Sequence, residues 1–356
     1  MNPKIMEVLY QFVNYGEDLN PEKNTLVLDV GMKTVPGVID HHHPKAEPEC
    51  TASLIAKHPS LVLDHIKREE NEKKEGEPGK LRIITHRLPD FDSVSSIFLA
   101  LKLIETGKFD SSMEKIAQYA RMVDSASLPK EIDLSSTPYS ILRALFSRIR
   151  KGEEGINLER MREGLKFMNF LYTKSEEGYE ILQNRVLFSG IERYERAMRK
   201  VEDDYFNYLS DLHRSQKTSL YLPSSSGYGK KKVDALIVKN PSSFLLKEWA
   251  RRDRENPPLG EGFTLLITIF GNKRYIIGVD PEKGVNLKGF GALLNEREAE
   301  KRKASGRALD FRWYDGNCPF FNFRIVDSPQ DGTSLTHEEI IDTLFFFSQS
   351  LDVQAP

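Results

Sequence analysis

Through its first third the chain alternates short aliphatic, β-branched runs with polar stretches that carry turn residues. Thr25 to Val30 (TLVLDV) is apolar at nearly every position, the pattern of a strand buried on both faces, and it delivers Asp29 near its carboxyl end. Gly31 and Pro36-Gly37 mark a turn, after which Val38-Ile39 lead into Asp40-His41-His42-His43. Leu81 to Thr85 (LRIIT) repeats the design, with His86, Asp90 and Asp92 leaving its end. Ser93 to Glu105 then places Val94, Ile97, Phe98, Leu101 and Ile104 at helical spacing, with Asp92 or Ser93 expected to cap the helix.

Longer periodicities follow. Lys67 to Glu75 is charged at every position but Asn71 and runs into Gly76-Glu77-Pro78-Gly79, an expected exposed connection. Residues 111 to 150 read as helical, and Asn157 to Gln216 reads as a long amphipathic helical stretch. Strand-like runs return at Thr218 to Leu222, Val233 to Val238, Phe263 to Phe270 and Arg274 to Val279, with a helix expected over Pro241 to Arg252. Phe345-Phe346-Phe347 suits core packing of a terminal helix, or a subunit interface. The predicted fold class is α/β: a parallel-sheet catalytic domain over 1–150, a helical connector over 151–217, and a smaller α/β domain over 218–356 for substrate binding or assembly.

The polar residues at the two strand ends carry the candidate chemistry. Carboxylates and imidazoles without thiolates suit Mn²⁺ or Mg²⁺, and a strand-to-helix junction is where open α/β sheets place ligands. A three-histidine run alone also suits a solvated turn, and Asp29 alone also suits a strand-end cap. Together, Val38 to Pro44 (VIDHHHP) resembles the Asp-His-His motif of the DHH phosphoesterase superfamily. His86 to Ser96 (HRLPDFDSVSS) resembles its His-x-x-Pro-Asp-x-Asp motif, and Thr51 to Ile55 resembles the segment opening its next helix. The likeness covers about residues 24 to 125, in permuted order, because Asp29 and Asp40-His41-His42 precede His86.

The resemblance implies a site holding two Mn²⁺ ions, with Mg²⁺ as the alternative. Asp29, His41, His86, Asp90, Asp92 and Asp124 are the implied metal ligands, Asp29 bridging. His42 is implied beside the substrate phosphate, with Asp40 orienting His41. The family's late Gly-Gly-Gly-His signature is absent, but Asp280 to Leu294 holds Gly284, Gly289 and Gly291 where that loop would be, and Trp313 to Cys318 is a poor match to it. Arg274, Lys288 and Gly289, flanking or within that loop, are therefore the candidate substrate contacts. His58 and His65 are expected at the surface.

Composition narrows the partners. A net charge of -2 lacks the basic excess of a protein that coats long duplex, which favours a nucleotide or a short single strand. The basic runs at 229–232, 251–254 and 301–303 suit a solvated surface. Only Cys50 and Cys318 occur, and no apolar run approaches a membrane span, so the expectation is a cytoplasmic protein with no membrane partner and with a homodimer open. The expected activity is metal-dependent hydrolysis of phosphodiesters, as a phosphodiesterase or nuclease. The alternatives are a phosphomonoesterase or inorganic pyrophosphatase on the same core, or a degenerate binding module.

Overall fold

A computed structural model describes residues 7–70, 80–149, 153–182, 185–271 and 273–350. The chain divides into two compact units, residues 1–201 with 318–320, and residues 202–317 with 321–356. Each holds a five-stranded mixed sheet, so the chain is α/β in both.

In the first unit, β1 (Glu7–Val13), β2 (Thr25–Leu28), β3 (Thr34–Val35) and β4 (Val38–Ile39) are followed by α1 (Thr51–Lys57), α2 (Ser60–Glu70) and β5 (Lys80–His86). Helices α3 (Phe91–Thr106), α4 (Ser111–Asp124), α5 (Pro138–Phe146), α6 (Glu153–Glu176), α7 (Arg185–Phe188) and α8 (Glu192–His213) follow, and the boundary between the units falls within α8. The strand order is β1-β5-β2-β4-β3, parallel except for the β3–β4 hairpin. Every residue of β2 is buried, as expected of a central parallel strand covered on both faces.

Register then fixes the position of the polar residues. Val27 pairs with Ile84 and Leu28 with Ile39. Two residues onward Asp29 stands opposite His86, and one residue onward it stands opposite Asp40, whose strand bonds it through Asp29 N to Ile39 O at 3.0 Å. Parallel pairing therefore gathers three motif residues on one sheet edge, a result that antiparallel strands would not give.

Several boundaries differ from the sequence reading. Strand β1 turns Glu7, Leu9 and Gln11 outward, so an exposed leucine breaks the alternation of its sequence, yet it pairs along its whole length with β5. The stretch read as a connector is split: α6 packs on α3, α4 and α5 within the first unit, while residues beyond Val201 belong to the second. The charged connection extends a helix to Glu70, and its remainder, 71–79, lies outside the described residues. His65 is half-buried at the surface; its Nε2 lies 2.9 Å from Thr25 O, and its ring leaves no room for a Cβ at Gly37, whose φ is +89°.

The second unit contains β6 (Gln216–Pro223), β7 (Lys230–Lys239), α9 (Leu246–Arg252), β8 (Leu265–Phe270), β9 (Arg274–Val279), α10 (Phe290–Ala304), β10 (Ile325–Asp327) and α11 (His337–Ser350). Both faces of β7 are covered. Ala235 and Ile237 join a core with Phe290, Leu344 and Phe347, while Leu236 and Val238 join another with Tyr208, Leu246 and Phe263. Helical geometry splits the phenylalanine run, burying Phe347 and leaving Phe346 exposed. Two basic runs expected in solvent each bury an arginine, Arg251 and Arg302, the latter paired with Glu298 at 2.8 Å.

Buried Asp204 fastens the segment entering α9, accepting from Ser243 Oγ at 2.7 Å, Phe244 N at 3.1 Å, Leu245 N at 3.0 Å and Trp249 Nε1 at 3.2 Å. Asp204→Ala removes the acceptor that these donors share, so urea unfolding should show a loss of at least about 2 kcal/mol. An unchanged midpoint would refute this role. Among the described residues no helix is long and apolar enough to cross a membrane.

A candidate metal centre

Asp29 lies at the middle of the site. It sits at 1% exposure with φ of +62°, a left-handed conformation that Asp tolerates better than most residues, and its two oxygens face different groups. Oδ2 accepts from Ser93 Oγ at 2.7 Å and lies 3.1 Å from His86 Nε2. Oδ1 accepts from Thr51 Oγ1 at 3.1 Å and lies 3.5 Å from His41 Nδ1.

On the Oδ2 side stand His86 and Asp90. His86 Nδ1 donates to Arg87 O at 2.9 Å, which directs Nε2 toward Asp29, Asp90 Oδ1 at 3.9 Å and Tyr15 OH at 3.1 Å. The Tyr15 ring stacks on His86 with centroids 4.0 Å apart. On the Oδ1 side stand His41, Asp92 and Asp124. His41 Nε2 faces Asp124 Oδ2 at 3.2 Å, and that carboxylate oxygen is buried without a hydrogen-bond partner among the described residues.

Three sets of side chains each bring possible donor atoms within 4.8 Å of one another: Asp29, His86 and Asp90; His41, Asp92 and Asp124; and Asp29, Asp40, His41 and His42. All six residues expected as metal ligands thus meet in the first unit. Helix α4 brings Asp124 in at its last position.

The roles of three residues differ from expectation. Asp90, not Asp92 or Ser93, caps α3, accepting from Ser93 N at 3.1 Å. Asp92 instead reaches the start of α1, accepting from Thr51 N at 2.8 Å and Ala52 N at 3.0 Å, because Cys50 at the cap position offers no side-chain acceptor. Asp40 does not orient His41. Its Oδ1 accepts from His42 Nδ1 at 2.6 Å and its Oδ2 from Met32 N at 2.6 Å, so the turn from Gly31 holds it on the next imidazole.

Electrostatics follow from this crowding. Burial and the neighbouring Asp29 and Asp124 carboxylates push Asp92 well above the usual carboxylate range. Burial alone would also raise Asp29, but the His86 hydrogen bond and nearby imidazoles hold it at about 2. Burial would lower His42, yet the Asp40 carboxylate raises it to about 10.

No protein-family model and no curated protein matches this chain. The reading of the site therefore rests on its own residues. Buried Asp and His groups here could hold a metal ion, and the donor set fits one: hard oxygen and imidazole ligands, a carboxylate oxygen left unsatisfied, and like charges that a cation would neutralise.

Sequence reasoning missed Ser93 Oγ, Thr51 Oγ1 and Tyr15 OH as site residues. The sequence marks Ser93 and Thr51 only as helix starters, and Tyr15 follows strand β1, which the sequence pattern does not declare. The second unit does not group the expected substrate contacts. Arg274 opens β9 and donates to Gln330 O at 3.3 Å, whereas the glycine-bearing loop leaves the other end of that strand, about 17 Å away at roughly 3.3 Å per residue. Lys288 lies over the Phe323 ring, and Gly289, with φ of +94°, starts α10, so Gly291 is helical and packs on Asp315.

Proposed function

We propose that this protein is a metal-dependent phosphoesterase of the DHH type, hydrolysing phosphodiester bonds in nucleotides or short single strands. The observation that carries the reading is Asp29, whose two oxygens face two separate His and Asp groups. Asp29, His86 and Asp90 would hold one divalent ion, and Asp29, His41, Asp92 and Asp124 a second, with Mn²⁺ favoured by the donor set. Such ions, when bound, supply positive charge that neutralises phosphate oxygens and acidifies water.

The chain's own groups divide the remaining work. Arg87 O accepts a hydrogen bond from His86 Nδ1–H, so Nε2 is the nitrogen that would be offered to an ion. Asp40 holds His42 by Nδ1 and keeps it protonated, which leaves Nε2–H of His42 to donate to a phosphate oxygen or to the departing oxygen. Asp40 is thus a positioning residue for His42. Ser93 and Thr51 pin the two Asp29 oxygens so that the carboxylate cannot turn. No serine or cysteine nucleophile is required.

The deciding experiment is a hydrolysis screen with chelated, Mn²⁺-loaded and Mg²⁺-loaded protein on bis-p-nitrophenyl phosphate, short oligonucleotides, cyclic dinucleotides, phosphomonoesters and pyrophosphate. Diester cleavage that requires Mn²⁺ is expected. Full activity after chelation would refute the reading, and cleavage confined to pyrophosphate or monoesters would move the substrate class. A milder change tests His42: Asp40→Asn should lower kcat and move the alkaline limb of the pH profile to lower pH, because the carboxylate that holds His42 protonated is gone, while Mn²⁺ affinity falls little. An equal loss of metal affinity would make Asp40 a ligand.

A further inference from the structure

Helix α6 carries a cation to the rim of the acidic cluster, and its placement follows from packing. Gly164 lies so close to α3 that a Cβ there would meet Val94 Cγ1 at 2.6 Å, so the two helices touch at that point. Ser95 Oγ approaches Met168 Sδ at 3.5 Å, one turn further on. Seven residues before Gly164 on the same face, Asn157 Oδ1 accepts from Leu88 N at 2.6 Å and holds the turn between His86 and Asp90, where Leu88 has φ of +56°. Arg160, three residues from Asn157 and four from Gly164, shares that face.

The Arg160 guanidinium is poorly satisfied. Its Nε is buried and has no hydrogen-bond partner among the described residues. Its Cζ lies 5.4 Å from the centroid of the Phe146 ring, which packs one side of the group without using its donors. Burial and the nearby Arg143 guanidinium on α5 both disfavour its charge, while Asp90 and Tyr15, at the mouth of the site, favour it. Two like charges held beside one another and beside a cluster that would itself bind cations are an arrangement that a phosphate stabilises, since a guanidinium fork matches two phosphate oxygens.

We propose that Arg160, aided by Arg143, forms an oxyanion subsite at the rim of the cluster that takes a phosphate group of the substrate adjacent to the one attacked. The proposal rests on the phosphoesterase reading for the attacked group but not for the anion itself. It assigns substrate recognition to the helices of the first unit.

The test is isothermal titration of pyrophosphate and of a 5′-phosphorylated thymidine dinucleotide into the full-length protein, in chelator and in excess Mn²⁺. Arg160→Gln, Arg160→Lys and Arg143→Gln are compared with the parent, and thermal melts check folding. Losing a charge-assisted hydrogen bond predicts about a tenfold or greater fall in affinity for Arg160→Gln in at least one condition, with Arg160→Lys intermediate. Arg143→Gln, at an exposed position that does not threaten the core, should weaken binding less. The probe that loses more identifies whether the second phosphate is anhydride-linked or diester-linked. Unchanged affinity in folded Arg160→Gln and Arg143→Gln in both conditions overturns the subsite, even where turnover remains Mn²⁺-dependent. Arginine-dependent anion binding without Mn²⁺ binding or turnover supports the subsite and instead refutes the phosphoesterase reading.

Discussion

Asp29→Asn should abolish Mn²⁺ binding at the cluster and diester hydrolysis together while leaving the fold intact. Asn tolerates the left-handed backbone that Asp29 adopts at φ of +62°, so the substitution tests charge and not strain. It removes the carboxylate whose two oxygens face the two His and Asp groups. The loss in kcat/KM should exceed the about 10- to 100-fold that follows removal of an outer hydrogen-bonding partner of a metal ligand. Mn²⁺ titration, circular dichroism and turnover on the same sample decide the matter. A folded variant that still binds Mn²⁺ and turns over within tenfold of the parent would remove Asp29 from the centre of the site. The companion change His58→Ala should be nearly silent, because the half-buried His58 side chain pairs with Glu47 at 2.6 Å, a residue outside the acidic cluster.

Adding Mn²⁺ to chelated protein should raise the melting temperature of the first unit, and by more as pH rises. A ligand at about one hundred times its dissociation constant stabilises by about 2.7 kcal/mol, which for a unit of this size is a shift of about 5–10 °C. The pH dependence comes from Asp92. Its folded pKa lies well above the ordinary value, owing to burial and then to Asp29 and Asp124. The stability from its neutral form is full below the unfolded pKa and is lost as pH rises through the raised folded pKa. Asp29 acts oppositely, since its folded pKa of about 2 gives stability present at neutral pH and lost only as pH falls through that value. From acid to neutral pH the metal-free protein should therefore weaken through Asp92, while the cation removes the cause. Melts with chelator and with Mn²⁺ at acid, mildly acid and neutral pH would show a gap that widens; a gap that is absent or that narrows would mean the carboxylates are not relieved by metal.

Local pattern was enough to find much of this site. Buried apolar runs at Thr25 to Leu28 and Leu81 to Thr85 declare strands, and polar residues at their carboxyl ends declare where a ligand would sit in a parallel sheet. Spacing alone also predicts a helix from Ser93 capped by Asp92 or Ser93, two residues after Phe91, where that helix opens. What spacing could not tell was which carboxylate serves which partner. Asp90, Asp92 and Ser93 are all good caps, and the choice fell to the neighbours: α1 presents unsatisfied N–H groups to Asp92, and the turn after Gly31 delivers Asp40 to His42.

The same limit applies at longer range. An amphipathic helix announces an apolar face but not what covers it, so 151–217 reads as one connector although the larger part of it, to Val201, completes the first unit. Arg160 was invisible for that reason: its significance comes from the contact of Gly164 with Val94, a close approach between segments seventy residues apart. Strand β1 was hidden because an edge strand, buried on little of its surface, keeps polar residues that a central strand cannot hold. Residue types and their periodicity were thus decided locally, by the cost of burying or exposing each side chain. Partnership, charge state and the identity of the groups around the cluster were decided only by packing, because hydrogen bonds and Coulomb interactions depend on distances that the order of residues along the chain does not carry.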